Sequence, residues 1–105
     1  EKDIDEIALV GLTPTPSQLV SPPRVAEAPV HLECKHINSI EIPHWDDKDR
    51  YVLVLGEVIG IHIRDDLITK EGLIDVSQMR PVGRLGYNDY TEVSGDSCFT
   101  MIRPS

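Results

Sequence analysis

The chain has 105 residues, enough for one small domain with a thin core. Hydrophobic residues make up 40% and charged residues 27%, an ordinary balance for a soluble globular protein. The formal net charge of −8 argues against a nucleic-acid partner, because nucleic acid is bound by lysine and arginine neutralising its phosphates.

No apolar stretch reaches the length of a membrane-spanning helix, and the longest, Val52 to Ile63, contains Glu57 and His62. The chain opens Glu1-Lys2-Asp3, with neither methionine nor a charged-then-apolar leader. A cytoplasmic protein with an upstream segment outside this sequence is the expectation. Two cysteines, Cys34 and Cys98, are too few for a disulfide framework and read as reduced thiols.

In chain order, Asp3-Ile4-Asp5-Glu6 reads as a helix start, with Asp3 as cap and Glu6 three residues later. Ile4, Ile7, Ala8 and Gly11 space as one helical face, and Gly11 and Pro14 end it. Thr13 to Pro29 carries Pro14, Pro16, Pro22, Pro23 and Pro29, which exclude a helix and disfavour a central strand. It reads as an extended arm anchored by Leu19, Val20 and Val25. Val30 to Ile42 is strand-like, with Val30, Leu32 and Cys34 on an apolar face and His31, Glu33 and Lys35 on the other.

Pro43 to Arg50 is a loop. Tyr51 to Arg64 is the clearest strand, with Val52, Val54, Gly56, Val58, Gly60 and His62 on one face, and its glycines suggest bulges or bends. Asp65-Asp66 and Lys70-Glu71-Gly72 form turns, and Ile74 to Met79 reads as a helical turn. Thr91-Glu92-Val93 and Ser97 to Ile102 read as a last hairpin around Gly95. About three or four strands are too few to close a barrel, so unpaired edges are expected.

The loop Arg80 to Tyr90 offers a phosphate-binding fork in Arg84, backbone freedom at Gly83 and Gly86, and flat rings at Tyr87 and Tyr90. A surface turn with Arg84 bound to a local carboxylate such as Asp89 explains the same residues. His62 shares a face with Gly56 and Gly60, where missing side chains leave room for a ligand; a histidine satisfied at a strand end is the competing reading. His31, Cys34 and His36 have a superficially metal-like spacing, but a strand sends His31 to the opposite face and no second cluster completes a zinc tetrahedron. Asp46, Asp47 and Asp49 lack the glycine and distal glutamate of an EF-hand. No metal is expected. Cys34 reads as a buried structural thiol.

Several segments together carry a family likeness. Pro22-Pro23-Arg24-Val25-Ala26-Glu27-Ala28-Pro29 precedes Leu32-Glu33-Cys34. Gly56-Glu57-Val58 and His62 follow, then Pro81, Arg84-Leu85-Gly86-Tyr87 and Tyr90. In this order the chain resembles the C-terminal half of the flavin reductase-like proteins, from about Asp3 to Pro104. The resemblance implies a mainly β, FMN-binding split β-barrel, here its C-terminal part, with short peripheral helices and the proline-rich extended arm. Residues 1–105 would be one portion of a single domain, 1–29 the short helix and arm, 30–105 the barrel strands and the Arg84 loop.

It also implies an oxidoreductase passing electrons from NADH or NADPH to FMN. His62 would be catalytic, and Arg84, Leu85, Gly86, Tyr87 and Tyr90 would bind cofactor. The implied partners are the N-terminal half of the domain, a second copy in a homodimer, and an oxygenase using reduced flavin. Two alternatives stay open: an FMN-binding redox protein without NAD(P)H:flavin reductase activity, and a cofactor-free interaction module on the same fold.

Overall fold

The structure is a computed structural model and describes residues 4–46, 48 and 50–105. It is mainly strand. In chain order the elements are α1 (Glu6–Leu9), β1 (Pro14–Thr15), β2 (Arg24–Val25), β3 (Val30–Ile42), β4 (Tyr51–Ile63), α2 (Val76–Met79), β5 (Val82–Arg84) and β6 (Tyr90–Glu92), with 3-10 turns at Asp65–Leu67 and Gly95–Ser97. The strands pair as three separate two-stranded sheets, β1 with β2, β3 with β4 and β5 with β6. The chain divides into two compact units, residues 1–62 and 63–105.

In the first unit, α1 is capped by Asp5, whose side chain accepts from the Ala8 amide at 3.2 Å. The cap expected at Asp3 lies outside the described residues. Gly11 follows at φ +77, a left-handed turn that a side chain would disfavour.

Thr13 to Pro29 is not a plain extended arm: it doubles back, so that Pro14 faces Val25 and Thr15 faces Arg24. Its prolines limit pairing to two residues per strand, and side chains complete the closure. Glu27 accepts from the Thr13 amide at 2.8 Å and from its hydroxyl at 2.9 Å, bonds that hold the Glu27 carboxyl below its ordinary pKa. Arg24 donates from Nε and Nη2 to the Pro16 carbonyl.

β3 and β4 have the bounds their alternation suggests, but β3 is turned over. Glu33 is buried at 2% exposure, whereas Leu32 is 57% exposed and Cys34 is an exposed free thiol. The reading of an inward apolar Leu32/Cys34 face is therefore corrected. The folded-back arm covers the polar face instead, because it brings backbone amides for a carboxylate to bind. Gly60 marks the close approach: a Cβ there would stand 2.9 Å from Leu19 Cδ1 and 3.6 Å from Glu33 Cβ.

Away from that end, β3 and β4 form a ribbon open on both faces. Leu53 and Leu55 are exposed on one side, Val52, Val54 and Val58 on the other. A two-stranded ribbon alone is marginal in water, and its apolar faces and free edges call for cover.

In the second unit, the Leu67 side chain is fully buried. The chain reverses through Gly72 at φ +82, and Ile68 and Ile74 bridge across the reversal. Asp75 caps α2 by accepting from the Gln78 amide.

The expected hairpin of Thr91–Val93 with Ser97–Ile102 is not formed. β6 pairs back onto β5, with Arg84 opposite Tyr90 and Gly83 opposite Thr91. Ser94 and Ser97 cap each other across the 3-10 turn, which consumes the Gly95 reversal locally.

Leu19 ends in a flexible side chain, so Gly60→Ala should be absorbed by a small rotation there, whereas Gly60→Val should unseat it. Amide hydrogen exchange at Gln18 and Leu19 checks this. Rates near wild type in Gly60→Ala and clearly faster in Gly60→Val are expected; equal rates in all three would mean that Leu19 does not hold the arm.

Candidate functional site

The site residues read from sequence fall into the two units, His62 in the first and Arg84 to Tyr90 in the second. Each group is built by different means.

His62 lies at the end of β4 on the same face as Gly60. Its Nε2 pairs with Oε2 of Glu33. The Glu33 side chain is 1% exposed and the His62 side chain 23%, so the bond is sealed on one side and the ring is open on the other. Glu33 also accepts from the Gln18 amide at 3.1 Å through each oxygen, and from the Leu19 amide at 2.7 Å through Oε1.

Burial alone would raise a carboxyl pKa. Here the Gln18 amide bond, followed by the Leu19 amide and His62, outweighs it, and the Glu33 pKa falls to about 2. His31 stands edge-on to His62 with ring centroids 6.0 Å apart, and its Nε2 bonds the Val25 carbonyl at 2.6 Å. A groove of about 410 Å³, of ligand-site size, runs between the arm and β3, lined among others by Ser17, Val20, Val25, His31 and Glu33. Glu33 was not singled out from sequence as a site residue. Its one signal was a glutamate sharing a strand face with a histidine, ahead of a second strand carrying Gly60 and His62.

The Arg84 loop is itself a hairpin. Between β5 and β6 it reverses through Leu85 to Asp89, closed by Leu85 N–H to the Asp89 carbonyl at 2.8 Å and Asp89 N–H to the Gly86 carbonyl at 3.1 Å. Arg84 Nη2 donates to the Tyr87 carbonyl at 3.2 Å, and its guanidinium lies 5.9 Å from the centre of the Tyr90 ring. These contacts, rather than a bond to Asp89, place Arg84.

Tyr87 takes φ +59, the left-handed region, and its side chain is 93% exposed. Leu85 at 55% and Tyr90 at 60% exposure flank it. At the base of the hairpin Arg80 pairs with Glu92 at 2.6 Å. Arg84, Leu85, Gly86, Tyr87 and Tyr90 are thus brought together: a cation over one ring, with a second ring projecting outward. The remaining guanidinium donors and the flat exposed rings suit an anionic, planar ligand. Among the described residues, no three His, Cys, Asp or Glu side chains come together as metal ligands, and no helix is long and apolar enough to cross a membrane.

Comparison with known proteins adds the likeness of fold. Nitrilotriacetate monooxygenase component B from Bacillus cereus superposes with a TM-score of 0.78 at 30% identity, over 91% of this chain and 46% of its own. Flavoredoxin of Desulfovibrio vulgaris (Miyazaki F) superposes at 0.68 with 28% identity, over 89% and 46%. A Shewanella frigidimarina protein described as a flavin reductase with a split barrel domain superposes at 0.77 over 99% and 50%; at 22% identity it speaks for the fold alone. This chain has the fold of the flavin reductase-like split-barrel proteins, over about half of their length.

No family model matches it. An uncharacterized protein of Halalkalibacterium halodurans is 36% identical over 100 residues, 95% of this chain and 46% of that protein. The chain spans about half the length of the relatives it matches, and among the described residues its three two-stranded sheets do not close a barrel.

Because the Glu33 pKa lies below its free value of 4.5, the bonds of this carboxylate contribute fully above that pH and are lost as pH falls toward about 2. Protection of the Gln18 and Leu19 amides, followed by NMR hydrogen exchange, should hold constant from neutral pH down to about 4.5 and then decline. A loss of protection beginning near pH 6 would assign the seat of the arm to another group.

Proposed function

We propose that this chain is part of an FMN-binding oxidoreductase that passes electrons from NAD(P)H to flavin. The observation that carries the proposal is the Arg84 hairpin, in which a cation with unspent donors, an outward Tyr87 and a second ring at Tyr90 are preorganised by local bonds. A flavin mononucleotide needs just such a cation for its phosphate and flat apolar faces for its rings. Support comes from the solved neighbours, which include a flavoredoxin and a protein described as a flavin reductase.

In this reading Arg84 binds the anionic end of the cofactor, Leu85 and Gly86 allow close approach, and Tyr87 and Tyr90 line the rings or the ribityl chain. His62 bonds flavin or nicotinamide through the exposed side of its ring and holds or gives a proton there. Bound flavin would supply the hydride acceptor at N5, chemistry that belongs to the cofactor. The protein's part is to orient the rings, exclude water and balance charge.

The two-faced ribbon of β3 and β4 supports further partners: the remaining half of the split barrel over one face and a second copy completing a homodimer. An oxygenase consuming reduced flavin, and a cytoplasmic location, belong to the same proposal.

The test is the visible absorption spectrum of the purified protein before and after anaerobic NADH. Flavin bands that bleach are expected. Bands that persist would leave a flavoprotein fed by another electron source, and no flavin after FMN addition would leave a cofactor-free module. Arg84→Ala should weaken FMN binding roughly ten- to a hundredfold, the worth of a charge-assisted hydrogen bond of about 1.5–3 kcal/mol. An unchanged Kd by fluorescence titration would remove Arg84 from the site.

A further inference from the structure

We infer that Glu33 is the positioning residue for His62, fixing which imidazole nitrogen meets the ligand, with the same carboxylate also seating the proline-rich arm. The inference rests on the proposed contact of His62 with flavin or nicotinamide.

The geometry divides the carboxylate cleanly. The Leu19 amide binds Oε1, the Gln18 amide binds both oxygens, and Oε2 takes Nε2 of His62. An ionised carboxylate accepts and cannot donate, so Nε2 carries a hydrogen in this pair whether the ring is neutral or cationic. Nδ1 is then the unprotonated nitrogen of the neutral ring and gains a proton only in the cation. With Nε2 committed to a buried partner, Nδ1 is left for a ligand on the open side of a ring that is 23% exposed.

His31 makes no bond to Glu33: its Nε2 is spent on the Val25 carbonyl, and its Nδ1 is buried without a hydrogen-bond partner among the described residues. Its ring stands edge-on to that of His62. The carboxylate that holds the imidazole also holds the arm, through the consecutive backbone amides of Gln18 and Leu19. Arm and imidazole therefore share one anchor: Glu33 holds the imidazole through Oε2 and the arm through the Gln18 and Leu19 amides.

The experiment is histidine-labelled ¹⁵N NMR of the intact flavin-loaded protein, comparing wild type with Glu33→Gln and Leu19→Ala, alongside the rate of NADH-driven flavin bleaching. Wild type should show a downfield, slowly exchanging Nε2 proton on His62. Glu33→Gln should lose that resonance and slow bleaching roughly ten- to a hundredfold, the size of a hydrogen bond to a charged group. Leu19→Ala removes packing on Gly60 but leaves the carboxylate, and should keep the resonance.

Absence of the resonance in wild type overturns the inference without requiring any variant to fold. Its loss in Leu19→Ala also overturns it, since seating of the arm alone would then hold the ring. His62→Ala separates the two levels. If flavin binding and bleaching survive it while the wild-type resonance is present, the site reading fails and the positioning role fails with it. If His62→Ala is crippled but wild type lacks the resonance, Glu33 alone is removed.

Discussion

A carboxylate enters a protein interior only if something replaces its water, and in this chain that requirement organises the whole of the first unit. Glu33 is satisfied by two backbone amides and an imidazole, and its pKa near 2 says that these bonds more than offset the cost of burial. The amides must come from a segment not already committed to a ladder. A proline-rich arm is such a segment: its prolines prevent continuous pairing, and the short run between Pro16 and Pro22 presents free N–H groups. The arm must also come close, which is why Gly60 lies beneath Leu19. The polar face of β3, the doubled-back arm, the small residue in β4 and the fixed histidine are four consequences of one buried charge.

This is also where reading the sequence worked and where it stopped. The extents of β3 and β4 were legible because alternation over a dozen residues is a strong signal, and the observed ends differ from the expected ones only at Arg64. Which face of β3 turns inward was not. Periodicity gives two faces and favours the apolar one, and nothing local says that amides 14 and 15 residues upstream will seek out a glutamate. The last hairpin failed for a related reason. Gly95 is a good turn signal, but a mutual Ser94–Ser97 cap used it for a 3-10 turn, and three-residue strands such as β5 and β6 are too short to show alternation. The Arg84 loop was legible in composition, though not as a hairpin. Its residue types pointed to ligand chemistry; the pairing of Arg84 with Tyr90 needed coordinates.

A likeness to split-barrel proteins and the absence of a closed barrel among the described residues are compatible once pairing is considered. A barrel removes edges by joining its first strand to its last, and among the described residues the strands stop at pairs. Val52, Leu53, Val54 and Leu55 are exposed on opposite faces of one strand, so each face offers apolar surface to a neighbour. The chain spans about half the length of the relatives it matches.

The two groups of candidate site residues differ in how they are held, and that difference carries consequences for evolution and engineering. The Arg84 hairpin is local: every bond that shapes it lies within the segment from Arg80 to Val93, from the Arg80–Glu92 pair at its base to the left-handed Tyr87 at its tip. A non-glycine residue at positive φ costs on the order of 1 kcal/mol; Arg80 and Tyr87 both take it, and at Tyr87 it accompanies an outward aromatic ring. Such a loop can change its contacts without disturbing the rest of the chain. His62 is held the opposite way, through a glutamate 29 residues earlier that also anchors the arm. Substitutions around it must act on arm, strand and imidazole together, so their effects should be strongly non-additive, whereas those within the hairpin tip stay confined to it. One group tunes what is bound, and the other ties binding to the fold.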